Sequence, residues 1–302
     1  MASLQHTLLS LYLRILQRKQ SNSKEPVKLR RKLINDVATK FKLPPELKLE
    51  RLSANGVPVE WTSFMEPRDR IIMYLHGGAY VAGSLQSHRH MVSALGIACK
   101  AEVMAVDYRL APEHPFPAAL DDAVSAYLWL VKKHGSEKVI IAGDSAGGGL
   151  AVALIAKLLE DQLAMPRAAV LLAPWLDLTG ESPTIVSVGK RDVILSKEML
   201  ASSARMYAHT YPLDQPYISP INAQLSGFPE TLIQVGTKDM LLNDSRILSQ
   251  KLKQHGSHVA YEEWKGAMHV WQFFTYFLPE SKKAISRIGE FADKVFNSTT
   301  TE

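Results

Sequence analysis

The sequence predicts an α/β fold, with a mostly parallel central sheet flanked by helices and a helical cap built from the N-terminus and an insertion. Three observations predict it. Short, continuously apolar runs occur at Ile71–Leu75, Val103–Val106, Val139–Ala142, Ala168–Ala173 and Leu232–Val235, the pattern of strands buried on both faces of a parallel sheet. Helical patterns separate them at Ala118–Lys133, Ala146–Leu163 and Ser245–His255. That alternation implies right-handed βαβ crossovers. One interval of almost sixty residues, between Ala173 and Leu232, breaks the rhythm.

Taken in order, residues 1 to about 45 read as helical, with a polar break at Gln20–Lys24 and a stop at Pro44-Pro45. Leu4, Leu8, Leu11, Tyr12 and Ile15 fall on one helical face, expected to dock on the protein's own body. Leu8–Leu13 is too short for a signal h-region; Arg14 follows it, no basic segment precedes it and no small-residue cleavage site appears. The absence of acidic residues before Glu25 keeps a transit peptide or a membrane-surface helix open. Leu47–Leu52 and Val57–Phe64 alternate apolar with polar residues around Asn55-Gly56, the signature of a hairpin. His90–Cys99 has an apolar helical pattern. A last strand is expected at Val259–Trp264 and a terminal helix from about Glu280 to Phe296. The long interval holds a helical pattern at Lys197–Tyr211 and a Pro-rich return at Pro212–Pro220. An insertion of that size is more often a lid or pocket wall than a bare loop. The expected organisation is therefore cap helices over residues 1–45 and an α/β domain over 46–302, with a cap insertion at about 180–225. Open α/β sheets bind ligands at the strand ends such a cap would roof.

Composition narrows the class. Of 302 residues, 46% are apolar and 22% charged, which excludes a disordered chain. The net charge of +5 is scattered apart from Lys28–Lys32 and Arg14, Arg18 and Lys19. No nucleic-acid motif accompanies these patches, so a solvated basic face is expected. Cys99 is the single cysteine, so no intrachain disulfide can form, and a cytoplasmic location with a packing role for Cys99 is expected. No run approaches the roughly 18 apolar residues that span a bilayer, so no stable membrane insertion is expected. A homodimer stays open.

The chemistry is carried by loops after strands. Gly143-Asp144-Ser145-Ala146-Gly147 fits G-x-S-x-G between a strand run and a helical run, the setting of a nucleophile elbow. The turn strains the Ser backbone and demands small neighbours. It also sets the hydroxyl at a helix N-terminus, where negative charge is favoured. The rival reading is an ordinary capping Ser in a Gly-rich loop. His76-Gly77-Gly78-Ala79 follows Ile71–Leu75 and lets backbone N–H groups approach a substrate oxyanion. With the amide of Ala146, Gly77 and Gly78 are the expected oxyanion donors. Ala79 stands where the HGGG pattern has a third Gly, which matters if that backbone needs positive φ.

A nucleophilic Ser needs a base and an orienting acid, in the chain order Ser, acid, His. Leu232–Val235 leads into Gly236-Thr237-Lys238-Asp239, which makes Asp239 the acid; Asp244, before a helical run, reads as an N-cap. Val259–Trp264 leads into Gly266-Ala267-Met268-His269, which makes His269 the base; His255 and His258 precede that strand and suit the surface. Ser87-His88-Arg89-His90 reads as a polar helix start rather than a metal site, because no carboxylate or thiol stands near in sequence. Asp107-Tyr108-Arg109 with Pro112–Pro115 suggests a structural hydrogen-bond network. No phosphate-loop or dinucleotide motif occurs, so neither cofactor nor metal is implied.

In order along the chain stand HGGAY (His76–Tyr80), DYRLAPEHPFPAALDD (Asp107–Asp122), GDSAGG (Gly143–Gly148), Gly236–Asp239 and His269. With these motifs the chain resembles the hormone-sensitive-lipase-like branch of the α/β-hydrolases, from about Leu47 to Phe296. The resemblance implies the α/β-hydrolase fold, a cap, and hydrolysis of short- to medium-chain acyl esters without metal or cofactor. It carries over Ser145, Asp239 and His269 as the triad, with Gly77, Gly78 and Ala146 as the oxyanion hole. Two positions depart. Many members read His-Gly-Phe where this chain has His269-Val270-Trp271, and Asp-Pro-Leu where it has Asp239-Met240-Leu241. The expected activity is a serine carboxylesterase acting on a small-molecule ester and losing activity as pH drops through about 6.5. Lactone, amide or formamide hydrolysis on the same triad stays open. A non-catalytic small-molecule receptor on this fold is disfavoured by the presence of His269.

Overall fold

A computed structural model describes residues 3–21, 26–39, 41–45, 47–66 and 68–298. The polar break expected at Gln20–Lys24 lies largely outside them. Eight strands form one sheet: β1 (Lys48–Ala54), β2 (Val57–Ser63), β3 (Arg70–Leu75), β4 (Ala101–Val106), β5 (Val139–Asp144), β6 (Ala168–Leu172), β7 (Glu230–Gly236) and β8 (Val259–Trp264). Their order is β1-β2-β4-β3-β5-β6-β7-β8. β2 runs antiparallel to both neighbours, while β4, β3, β5, β6, β7 and β8 are mutually parallel. This is the mostly parallel sheet the apolar runs foreshadow.

The parallel strands divide alternate side chains between two cores. Ile71, Met73 and Leu75 of β3 pack on one face with residues of α4 (Ala118–His134), α5 (Ala146–Glu160) and α8 (Leu242–Gln254). Ile72 and Tyr74 pack on the other with α3 (Leu85–Cys99) and α9 (Pro279–Asn297). α3 begins five residues before the apolar pattern at His90. Ser84 caps it, in a reciprocal box with Ser87, and such caps fix a helix start before hydrophobic periodicity appears. His88 and His90 are buried rather than at a polar start, and no metal-ligating cluster forms among the described residues. Cys99 is buried, and burial pushes its thiol up to about 12, in keeping with a packing role.

The interval between β6 and β7 contains the short α6 (Pro183–Ser187) and α7 (Lys197–Ala208). The N-terminal helices are α1 (Leu4–Ser21) and α2 (Pro26–Ala38). α2 is tied to the body by Arg31, which donates to the carbonyls of Val81 (2.7 Å) and Ala111 (3.1 Å) and pairs with Glu113. Here the Pro112–Pro115 segment forms part of the expected network, which Arg109 extends through its paired bonds to Asp122.

α1 corrects one expectation. Leu4, Leu8, Leu11, Tyr12 and Ile15 do share a face, but that face points to solvent, at 45–73% exposure. The docked face carries His6 and Leu13, with Leu9 and Leu16 packed on a cluster that contains Val193, Met268 and Trp271. Both sides of the helix are apolar, so periodicity alone picks no inner side. No helix among the described residues is long and apolar enough to cross a membrane.

Candidate active site

Ser145 stands between β5 and α5 with φ 52° and ψ −121°, a left-handed conformation that L-residues rarely adopt. The turn is held by the Ser145 N–H donating to the Leu172 carbonyl (2.8 Å) and by Trp175 N–H donating to the Ser145 carbonyl (2.9 Å). A Cβ on Gly147 would sit 2.1 Å from the Leu75 carbonyl oxygen, so only Gly fits there. The Ser145 side chain makes no capping bond. Its Oγ lies 2.9 Å from His269 Nε2.

The structure brings the other two expected residues to the same point. His269 Nδ1 is 2.8 Å from Asp239 Oδ2, and both residues are buried. Their two loops are laced together. Thr237 N–H donates to the Trp264 carbonyl, Lys238 N–H to the Ala267 carbonyl and Gly266 N–H to Thr237 Oγ1. A Cβ on Gly236 would meet the Ala267 carbonyl at 2.3 Å. Burial pulls the His269 imidazole down, but the adjacent Asp239, with Asp192 and Asp144 further out, outweighs it and leaves the ring above its ordinary value.

Asp244 is no N-cap. It lies within the first turn of α8, is buried, and accepts the N–H groups of Leu176 and Asp177 at 3.0 Å each. Burial, against those two donors, lifts its carboxyl to about 7. His255 and His258 are exposed, as expected.

The oxyanion loop also needs a correction. Gly77 lines the cavity, but its N–H donates to Asp144 Oδ1 at 2.9 Å and is thereby engaged inside the protein. Its lack of a side chain serves packing, since a Cβ would meet Asp144 Oδ2 at 2.1 Å. Gly78 (φ 124°) and Ala79 (φ 57°) follow, and neither N–H donates to a protein acceptor among the described residues. The Ala replacing a third Gly thus does adopt positive φ. Ala146 is the first residue of α5, where helix geometry leaves the N–H without an intrahelical acceptor. Asp144 also accepts from the Tyr74 hydroxyl (2.5 Å) and lies 3.5 Å from His88 Nε2. Burial opposes its charge, but His88 and these donors prevail and hold the carboxyl below the usual range.

Above Ser145 lies a cavity of about 200 Å³. Leu13, Leu16, Ile34 and Val37 from the N-terminal helices and Ile194 and Leu195 from the insertion form much of its wall. Sequence reasoning missed one buried acid beside it. Asp192 accepts N–H groups from Ile194, Leu195 and Met240, each at 2.9 Å. The only signal was its position in the insertion, where nothing in spacing links it to Asp239.

A family profile described as alpha/beta hydrolase fold matches residues 72–273. The chain is 42% identical over 233 residues to an acetyl-hydrolase of Streptomyces hygroscopicus, covering 77% of this chain and 78% of that protein. It is 35% identical over 265 residues to an esterase of Acinetobacter venetianus, covering 87% of each. A crystal structure of an esterase from the bacterial hormone-sensitive lipase family superposes with a TM-score of 0.93 at 36% identity, over 98% of this chain and 100% of that one.

Proposed function

The chain belongs to the hormone-sensitive-lipase-like branch of the α/β-hydrolase family and is a serine hydrolase, and from that premise we propose that it cleaves short- to medium-chain acyl esters with Ser145, His269 and Asp239. The observation that carries this reading is the continuous line from Asp239 Oδ2 through His269 to Ser145 Oγ, with spacings of 2.8 and 2.9 Å. With Nδ1–H donating to Asp239, Nε2 is left to accept the serine proton.

Ser145 Oγ attacks the ester carbonyl as His269 takes its proton. The carbonyl oxygen, now negative, is held by N–H groups of Gly78, Ala79 and Ala146; the positive φ at Gly78 and Ala79 and their uncommitted donors support that assignment over Gly77. The imidazolium then protonates the leaving alcohol. In the second half His269 takes a proton from water, which attacks the acyl-enzyme; the imidazolium then returns that proton to Ser145 Oγ as the carboxylic acid leaves. The cap of N-terminal helices and insertion supplies the apolar surface for the acyl chain.

Initial rates on p-nitrophenyl esters from acetate to palmitate test this. Turnover should peak at short chains and fall toward palmitate. A folded protein that turns over no ester in the series would refute it and favour amide hydrolysis or ligand binding without catalysis.

The pH profile is a second expected result. His269 must be neutral to accept the serine proton, and its surroundings favour the charged form. The acid limb of kcat/KM should therefore lie above the ordinary imidazole value of about 6.5. A plateau that persists to about pH 5 would contradict the base assignment.

A further inference from the structure

Among the described residues, Asp192 is the one buried carboxylate that hydrogen-bonds both to the pocket wall and to the acid loop of the triad. It lies in the insertion and is 3% exposed. Its Oδ1 accepts the N–H groups of Ile194 and Leu195, which line the cavity. Its Oδ2 accepts the N–H of Met240, the residue immediately after Asp239. Met240 stands where many members of the branch carry Pro, which has no N–H to give. A chain with Asp-Pro-Leu at this point could not make the link. The Asp239 carboxylate accepts only Leu241 N–H besides His269 among the described residues.

We propose that Asp192 is a positioning residue that fastens the insertion to the Asp239 loop and sets a second carboxylate behind the Asp239–His269 pair. The proposal rests on the triad reading above. Through Oδ2 it fixes the backbone that aims Asp239. Through Oδ1 it fixes the wall against which the acyl chain packs. Its charge adds to that of Asp239 when His269 becomes imidazolium in each half-reaction, and charges so deep in the protein act strongly on one another.

The charged groups acting on Asp192 are Asp239, on the loop after β7, and His269, on the loop after β8. Arg14, Arg191 and Lys238 line a neighbouring crevice and make no ion pair with it among the described residues. Burial and then the Asp239 charge raise the Asp192 carboxyl to about 6, with His269 and the backbone donors pulling the other way. Protonation places a hydroxyl where an acceptor is needed, so acid should loosen the clamp as well as silence the base.

Two measurements on the full chain test this. In the wild type, log kcat/KM for p-nitrophenyl butyrate should fall with a slope of 1 as His269 protonates. The slope should approach 2 below about pH 6, with circular dichroism confirming an intact fold. A slope of 1 throughout would overturn the proposal, whatever any variant does. Asp192→Asn turns an acceptor into a donor against Met240 N–H. It should lower kcat by roughly 10- to 100-fold, the scale of a slight misplacement of reacting groups. Its acid limb should shift to lower pH with a single slope. A folded Asp192→Asn protein with the wild-type limb and kcat refutes the role; if it does not fold, the wild-type slope decides. Labelling by diethyl p-nitrophenyl phosphate separates the two readings. Wild type that labels at Ser145 keeps the triad reading even if Asp192 proves inert, whereas wild type that neither labels nor turns over ester takes both down.

Discussion

Ser145→Ala should lower kcat on p-nitrophenyl butyrate by about 10⁶-fold, the scale at which removal of a triad nucleophile or base acts elsewhere. The size follows from the geometry. Ser145 Oγ is 2.9 Å from His269 Nε2, and Ala removes the only atom there that can form the acyl-enzyme. Ala keeps the Cβ, and the backbone bonds to Leu172 and Trp175 that hold the turn are unaffected. The variant should therefore unfold at the wild-type denaturant midpoint and still bind substrate. A residual rate above that of water is expected, because donors at Gly78, Ala79 and Ala146 would still polarise the carbonyl. Single-turnover kinetics with mass spectrometry of the trapped adduct read both effects. A loss below 100-fold in a folded protein would move the nucleophile elsewhere.

Asp239→Asn should cost about 10⁴-fold in kcat at neutral pH. Asn fills the same space, but its amide can face His269 Nδ1 with a donor. That favours the tautomer whose proton sits on Nε2, where it cannot receive one from Ser145. The loss should fall on kcat and leave KM for butyrate nearly unchanged, since Asp239 does not line the cavity. The acid limb should also move to lower pH, because Asp239 is the largest influence raising the His269 ring against burial. Should Asp239→Asn retain a tenth of wild-type kcat while Asp244→Asn loses activity with its fold intact, the acid would have to be reassigned.

Much of this was legible in the chain. The strand runs and the motifs on the loops after them specify where Ser145, Asp239 and His269 must stand, because in a parallel sheet all such loops gather at one edge. Three things were not legible. The side of α1 that packs was misread because Leu9, Leu13 and Leu16 compete with Leu8, Leu11 and Ile15, and only the partner surface settles which side wins. The commitment of the Gly77 amide to Asp144 depends on loop curvature that a Gly-Gly pair permits but does not dictate. Asp192 and Asp244 each satisfy backbone donors remote in sequence, 48 residues away at Met240 and 68 at Leu176. Spacing carries no trace of such bonds.

A large part of the cavity wall comes from stretches of chain that carry none of the reacting groups. That part draws on residues 13–17, 30–37 and 193–199, whereas Ser145 and His269 sit on loops at strand ends, with Val270, Phe273 and Phe274 lining the cavity beside His269. For library design this means that the part of the wall on the N-terminal helices and the insertion can be varied apart from the chemistry. Diversifying Leu16, Ile34, Val37 and Met199 should retune chain length and chirality in a catalyst whose rate-setting atoms stay untouched. Changes at Ile194 and Leu195 would be less free, because their amides are anchored to Asp192, a carboxylate shared with the loop that aims the acid.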